Sequence, residues 1–226
     1  HIEQGPVLED AGDVLGVVTG ALGQRWYDVV VTGLEAHAVP TPMPLRRDAL
    51  QAALPLMPAV DQTARTEAPH ARGTVGWAQI YPNSRNTIPG RVSFTVDFRH
   101  PDDAGLARME AALRRAIDAA AGDGRVNVTL EPVVHFPPAP FDPALTECVR
   151  TAARRLGLPH RDIVSGAGHD AVYVARTAPT AMIFVPCEGG ISHNEIENAT
   201  PDDLAAGCSV LLHAMLEQAG IVGERA

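Results

Sequence analysis

Apolar positions along this chain recur at two spacings, and the changes between them mark its elements. Residues 25–33, RWYDVVVTG, are dense in β-formers and predict a strand. In residues 48–64, Leu50, Leu54 and Met57 fall on one helical stripe, while Pro55 and Pro58 predict a kink or an early stop. Residues 74–80 and 92–99 again read as strands, joined by the turn-rich PNSRNTIPG of residues 82–90. A cleaner helix is predicted over residues 102–121. Leu106, Met109, Leu113, Ala116, Ile117 and Ala120 share its apolar face, and Gly122 and Gly124 follow as stop signals. Residues 126–134 alternate as a strand. From 25 to 134 the predicted order is β-α-β-β-α-β, that of a ferredoxin-like module with two helices on one face of a four-stranded sheet.

On either side of that module the pattern is incomplete. Residues 1–18 are punctuated by Gly and Pro, and predict a strand end, loops and a short strand at 14–18. The Pro-rich FPPAPFDP of residues 136–143 forms a joint, after which Asp142 and Pro143 predict a helix start; Leu145, Val149, Ala152 and Leu156 mark its buried face. Residues 181–185 predict a short buried strand. Thr200, Pro201, Asp202 and Asp203 resemble a capping box, opening a last helix whose core side is Leu204, Cys208, Leu211 and Met215. The expectation is an α/β chain in three segments: 1–20 and 136–226 as parts of one domain, and 21–135 as a module inserted between them. Neither flank holds a full sheet and the first residue is His1 rather than Met, so the chain reads as a piece of a longer protein. Residues 220–226 read as a disordered tail.

Composition narrows the function classes. Hydrophobic residues make up 46% of the 226, enough for a core, and 20 Gly with 19 Pro is loop-rich without being low-complexity. The net charge of −9 argues against non-specific binding to nucleic acid or anionic membrane. There is no apolar run of the ~18 residues that a membrane span needs, and no secretory leader is visible. Cys148, Cys187 and Cys208 are odd in number and contain no CxxC pair, which predicts no disulfide framework and a cytoplasmic location.

Candidate chemistry gathers on histidines set among Gly, Asn, Pro and acidic residues. His193 lies in GGISHNEIE (189–197), where glycines allow close backbone approach and an imidazole is a common metal ligand. His169 lies in SGAGHDA (165–171), whose Gly-rich run before a helical segment offers backbone N–H groups to an anionic or carbonyl group. His37 follows the first strand of the module in EAHA (35–38), and His1 opens HIEQG. Arg99, at a strand end, is able to bind a carboxylate through two parallel hydrogen bonds, although a surface ion pair is the plainer reading of its context. Asn86 sits in the turn-rich connection. No GxSxG elbow or P-loop is present.

Taken together, HIEQGPVLE (1–9), HAVPTPM (37–43), RRDAL (46–50), PNSRNTIPG (82–90), DFRHPD (97–102), GAGHDA (166–171) and FVPCEGGISHNEIE (184–197) resemble the N-carbamoyl-L-amino-acid hydrolases, β-ureidopropionases and allantoate amidohydrolases of the two-metal aminoacylase and peptidase superfamily. The resemblance implies part of a two-metal aminopeptidase-like catalytic domain, with the inserted β-α-β-β-α-β module as lid and dimer contact. It implies two divalent ions (Zn, Mn, Co or Ni), with His1 a ligand of one and His193 of the other, and the remaining ligands and the general base upstream. It implies Gln4, Asn86, Arg99, Gly168 and His169 as substrate contacts, Arg99 and Asn86 taking the substrate carboxylate, and His37 as the catalytic group at the developing oxyanion, reaching across a homodimer. The substrate implied is a small N-carbamoyl or ureido compound, with no nucleic-acid or membrane partner. Val39 and Pro40 depart from the HAGTTPM usual in the family, and Pro55 and Pro58 break a helix that is normally continuous. The alternatives are a non-catalytic dimerisation fragment, an allantoate or ureidoglycolate amidohydrolase, and an N-acyl aminoacylase.

Overall fold

The computed structural model describes residues 1–220; of the expected tail, 221–226 lie outside the described residues. In chain order the elements are α1 (Val7–Ala11), β1 (Leu15–Ala21), β2 (Gly23–Thr32), β3 (Ala36–His37), α2 (Ala49–Ala53), α3 (Leu56–Thr66), β4 (Arg72–Thr74), β5 (Ala78–Tyr81), β6 (Thr87–Ile88), β7 (Arg91–His100), α4 (Asp103–Ala121), β8 (Asn127–Phe136), β9 (Ala139–Pro140), α5 (Pro143–Arg155), β10 (His160–Ser165), α6 (Asp170–Val174), β11 (Met182–Phe184) and α7 (Pro201–Ala219). They form two compact units. One is Gly23–Pro138, and the other joins His1–Leu22 to residues 139–220.

The Gly23–Pro138 unit is an antiparallel sheet with helices over one face. Strand β2 pairs along its whole length with β7 on one side and β8 on the other, while β4 and β5 share the far edge of β7. In order of appearance that is 4-1-3-2, the ferredoxin-like arrangement expected of the β-α-β-β-α-β pattern. Side chains alternate across the sheet. Tyr27, Val29 and Val31 of β2 and Val92, Phe94, Val96 and Phe98 of β7 point inward, onto Ala53, Leu56 and Val60 of the first helices and Leu106, Met109 and Leu113 of α4. Asp102 caps α4 by accepting from Ala104 N and Gly105 N. Two turns into that helix, Glu110 accepts from Arg25 at 2.7 Å, from the Tyr27 hydroxyl at 2.8 Å and from Arg114 at 2.7 Å.

Two sequence expectations fail in this unit. The strand expected over 74–80 is two short strands, β4 and β5, separated by Val75, Gly76 and Trp77; each pairs with a different stretch of β7. The helix over 48–64 breaks into α2 and α3 at Leu54 and Pro55, as its prolines predicted, while Pro58 is carried within α3; its buried stripe is not the expected one. Pro55 has no N–H to continue the first helix. The buried stripe is accordingly Ala49, Ala53, Leu56, Val60 and Ala64 rather than Leu50, Leu54 and Met57, with Leu54 exposed.

The other unit is built on β1, whose residues are almost all buried because both of its faces are covered. It pairs in parallel with β10 and antiparallel with β11, and β9 pairs with its end. Leu15 and Val17 pack with α5 and α7 through Val149, Ala152, Val210 and Ala214, while Val18 packs with Leu8, Phe141 and Phe184. Residues 1–3 lie parallel to β11: His1 N donates to Ile183 O, Val185 N to His1 O, and Glu3 N to Val185 O. Glu3 then turns its carboxylate to the first N–H groups of α1, accepting from Val7 N and Leu8 N. Arg150 ties α5 to β10 with two hydrogen bonds to Asp162.

The expected core side of the last helix is overturned. Leu204, Cys208, Leu211 and Met215 are exposed, and α7 packs instead through Val210 and Ala214. The exposed stripe borders an apolar cleft of about 580 Å³ that His1, Ile2 and Leu145 also line. Leu156, expected on the buried face of α5, caps that helix and is partly exposed. Among the described residues no helix is long and apolar enough to cross a membrane.

Candidate active site

The eight singled-out residues divide between the two units, five in the unit built on β1 and three in Gly23–Pro138. In the unit built on β1, the strand-like pairing of residues 1–3 fixes the backbone of His1. Its Nδ1 lies 2.7 Å from Ile2 O. A carbonyl only accepts, so Nδ1 carries the proton and Nε2 keeps its lone pair, the state of a ligating imidazole. The ring meets His169 edge-on, with centroids 4.6 Å apart, and His169 in turn packs on Phe184 at 5.5 Å. Burial lowers the pKa of His169 below the ordinary imidazole value, favouring the neutral ring.

The Gly-rich run that carries His169 leaves the end of β10 at Ser165 and enters α6, a helix of only five residues with His169 as its N-cap. Gly168 has open space where a side chain would stand, so backbone there is accessible to a ligand. Gln4 adopts a positive φ of 60° between residues 1–3 and α1. His193 also has a positive φ, 56°, and lies exposed in the connection between β11 and α7; its backbone N–H donates to Glu197 at 2.8 Å.

In the Gly23–Pro138 unit the two-residue strands β3 and β6 set His37 opposite Thr87, and Ala38 N donates to Asn86 O, so His37 and Asn86 share one small ladder. The His37 Nδ1 accepts from Val39 N at 3.1 Å, which places the ring proton on Nε2 as a donor. Asn86 Oδ1 accepts from Ser84 Oγ at 3.0 Å, leaving its amide N–H groups to donate. Arg46, the first residue of RRDAL, to which the sequence assigned no role, holds the loop after His37 by donating to Thr41 O and Ala38 O. Arg99 lies on the open face of β7, where Asp97 accepts from it at 2.9 and 3.2 Å.

Divalent ions are the group these residues have to be tested against. The bare Nε2 of His1 suits a metal. Among the described residues, however, no group of three or more His, Cys, Asp or Glu side chains is placed to hold one. A catalytic ion needs at least three protein ligands, so these residues fit as contributors to a centre and do not complete one. Ser165 also went unmarked by the sequence, although its buried hydroxyl lies 2.9 Å from His169 Nε2.

Comparison with known proteins gives consistent matches. Peptidase family M20/M25/M40 matches residues 1–217. The N-carbamoyl-L-amino-acid amidohydrolase of Rhizobium meliloti is 47% identical over 222 residues, 98% of this chain and 53% of that protein. The allantoate amidohydrolase of Escherichia coli is 36% identical over 211 residues, 93% of this chain and 51% of its own length. The crystal structure of an amidase of the hydantoinase/carbamoylase family from Burkholderia multivorans superposes with a TM-score of 0.93 at 58% identity, covering 97% of this chain and 53% of that one. The chain spans about half the length of the curated relatives it matches.

Proposed function

The chain belongs to peptidase family M20/M25/M40, and from that premise we propose that it is the substrate-holding part of a metal-dependent amidohydrolase acting on ureido compounds, N-carbamoyl-L-amino acids first among them. The observation that carries this reading is the pair of imidazoles at 1 and 169. Each is held by backbone or a buried neighbour, and the two meet in a T-shaped contact beside an open Gly-rich turn. In this reading His1 and His193 each serve one of two divalent ions (Zn, Mn, Co or Ni) whose other ligands come from outside this chain. Such ions, when bound, polarise a carbonyl and acidify a coordinated water.

The chain's own groups then orient the substrate. Gln4, Gly168 and His169 contact the ureido end. Asn86 donates its amide, and Arg99 its guanidinium, to the carboxylate. His37, with its proton on Nε2, donates to the developing oxyanion. The residues 1–20 and 136–226 are parts of the catalytic domain, while 21–135 is lid and contact to a second copy in a cytoplasmic homodimer. The edge strand β8, with Val133 and Phe136 exposed, supports that last assignment. Allantoate and ureidoglycolate fall in the same substrate class, and the Escherichia coli relative supports keeping them within it.

The test is to complete the chain with the half of the Rhizobium meliloti relative that lies outside the match, and to assay both forms. The completed protein should bind two ions and release the free amino acid from its N-carbamoyl derivative; the chain alone should do neither. In the completed protein H37A should lower kcat by on the order of 10²–10³, the usual consequence of losing one oxyanion donor. A completed, folded protein inert toward every ureido and acyl substrate overturns the reading.

A further inference from the structure

We propose that Ser165 is a positioning residue that fixes the tautomer and ring plane of His169, so that this imidazole meets a ligand as a hydrogen-bond acceptor. The assignment follows from counting protons. Ser165 is 1% exposed, at the end of β10 where it pairs with Ala21 and its backbone oxygen accepts from Leu22 N. Its Oγ has three partners: Ala167 O at 2.9 Å, Ala167 N at 3.2 Å and His169 Nε2 at 2.9 Å. A hydroxyl has one proton and two lone pairs. Ala167 O has no proton, so the hydroxyl proton must point to it; otherwise two oxygens would face each other at 2.9 Å. Ala167 N–H fills one lone pair. The contact to His169 therefore has to be a donation from Nε2–H into the second lone pair.

With Nε2–H consumed, the neutral ring offers only the bare Nδ1. The ring plane is held as well, by the Ser165 bond at one side and by Phe184, itself 1% exposed, at the other. The consequence for selectivity rests on the reading of His169 as a substrate contact. A bare imidazole nitrogen accepts from an N–H and repels a carboxylate or oxyanion. His169 is thereby assigned to an N–H of the ureido group rather than to the carboxylate. A substrate with an oxygen in place of that N–H loses the bond.

The tautomer is measurable without any substrate. In the full chain labelled with ¹⁵N-histidine, at a pH well above the imidazole range, long-range ¹H–¹⁵N correlation distinguishes the two forms; H169Q identifies the signal. The expected result is a protonated Nε2 and a bare Nδ1 in the wild type. S165A should show averaging between tautomers, and S165T, which restores the hydroxyl, should recover the single form. If S165A does not fold, S165C takes its place, because a thiol accepts weakly. A wild-type ring protonated on Nδ1 overturns the proposal, as does a folded S165A that keeps the pure Nε2–H form. In the completed enzyme S165A should lower kcat/KM by about tenfold, mainly through KM, the scale of one neutral hydrogen bond. S165T should reverse that loss. If the completed enzyme hydrolyses no ureido compound while the tautomer result holds, the functional reading fails and the positioning role stands.

Discussion

At the scale of single residues, Gly105 shows how close approach overrides an intrinsic preference. It occupies the first turn of α4, where Ala is ordinarily the better helix former by roughly 0.5–1 kcal/mol. Here a Cβ would lie 2.2 Å from Nδ1 of His100. His100 is buried, and its ring accepts from Asp102 N at 2.9 Å at the turn leading into the helix. It has no room to retreat without breaking the turn. G105A should therefore lower stability by about 1–3 kcal/mol, the cost of overpacking, read as a lower urea midpoint with an unchanged slope. A midpoint that rises would show that the ring moves freely. Nothing in the hydrophobic pattern announces this contact. His169 was legible for the opposite reason, since histidine within a Gly-rich turn is conspicuous in sequence. Its partner Ser165 was not, because a serine at a strand end looks the same whether its hydroxyl orients a ring or only serves its own turn.

At the scale of elements, periodicity located helices better than it located their buried faces. The register of α2 and α3 is displaced from the expected one because Pro55 restarts the helix, and small Ala49 and Ala53 take the contact that larger Leu50 and Leu54 suggested. The interrupted strand at 74–81 looked continuous because Val75 and Trp77 are β-formers, whatever their pairing. Helix α7 carries two apolar stripes. Hydrophobicity alone favours the larger side chains, yet β1 and α5 accept the smaller Val210 and Ala214. The difference is testable in the chain as it stands. V210A should cost about 1–3 kcal/mol as a buried truncation, whereas L211S, half exposed, should stay within about 0.5 kcal/mol. A larger loss for L211S than for V210A in thermal unfolding would mean that the helix packs on the other stripe.

At the scale of the whole molecule, one unit interrupts the other, and each has a core of its own. Interruption is tolerable only if the crossing strands lie side by side. They do so on both sides of the boundary: Ala21 pairs with Ala139, and Gln24 pairs with Phe136. Closing a flexible loop of ~100 residues between the two segments of the β1 unit would cost about 4–5 kcal/mol of chain entropy. A folded Gly23–Pro138 unit removes most of that cost, because its own sheet holds its ends together. Replacing residues 23–138 with a short Gly-Asn turn removes the cost by a different route, since a tight turn joins two antiparallel neighbours directly. The β1 unit should then retain its helical circular dichroism and a cooperative transition, and the excised module should fold separately with its own. If the shortened chain melts without cooperativity while the excised module folds, the inserted unit supplies more than chain connection, and the β1 unit depends on it for structure.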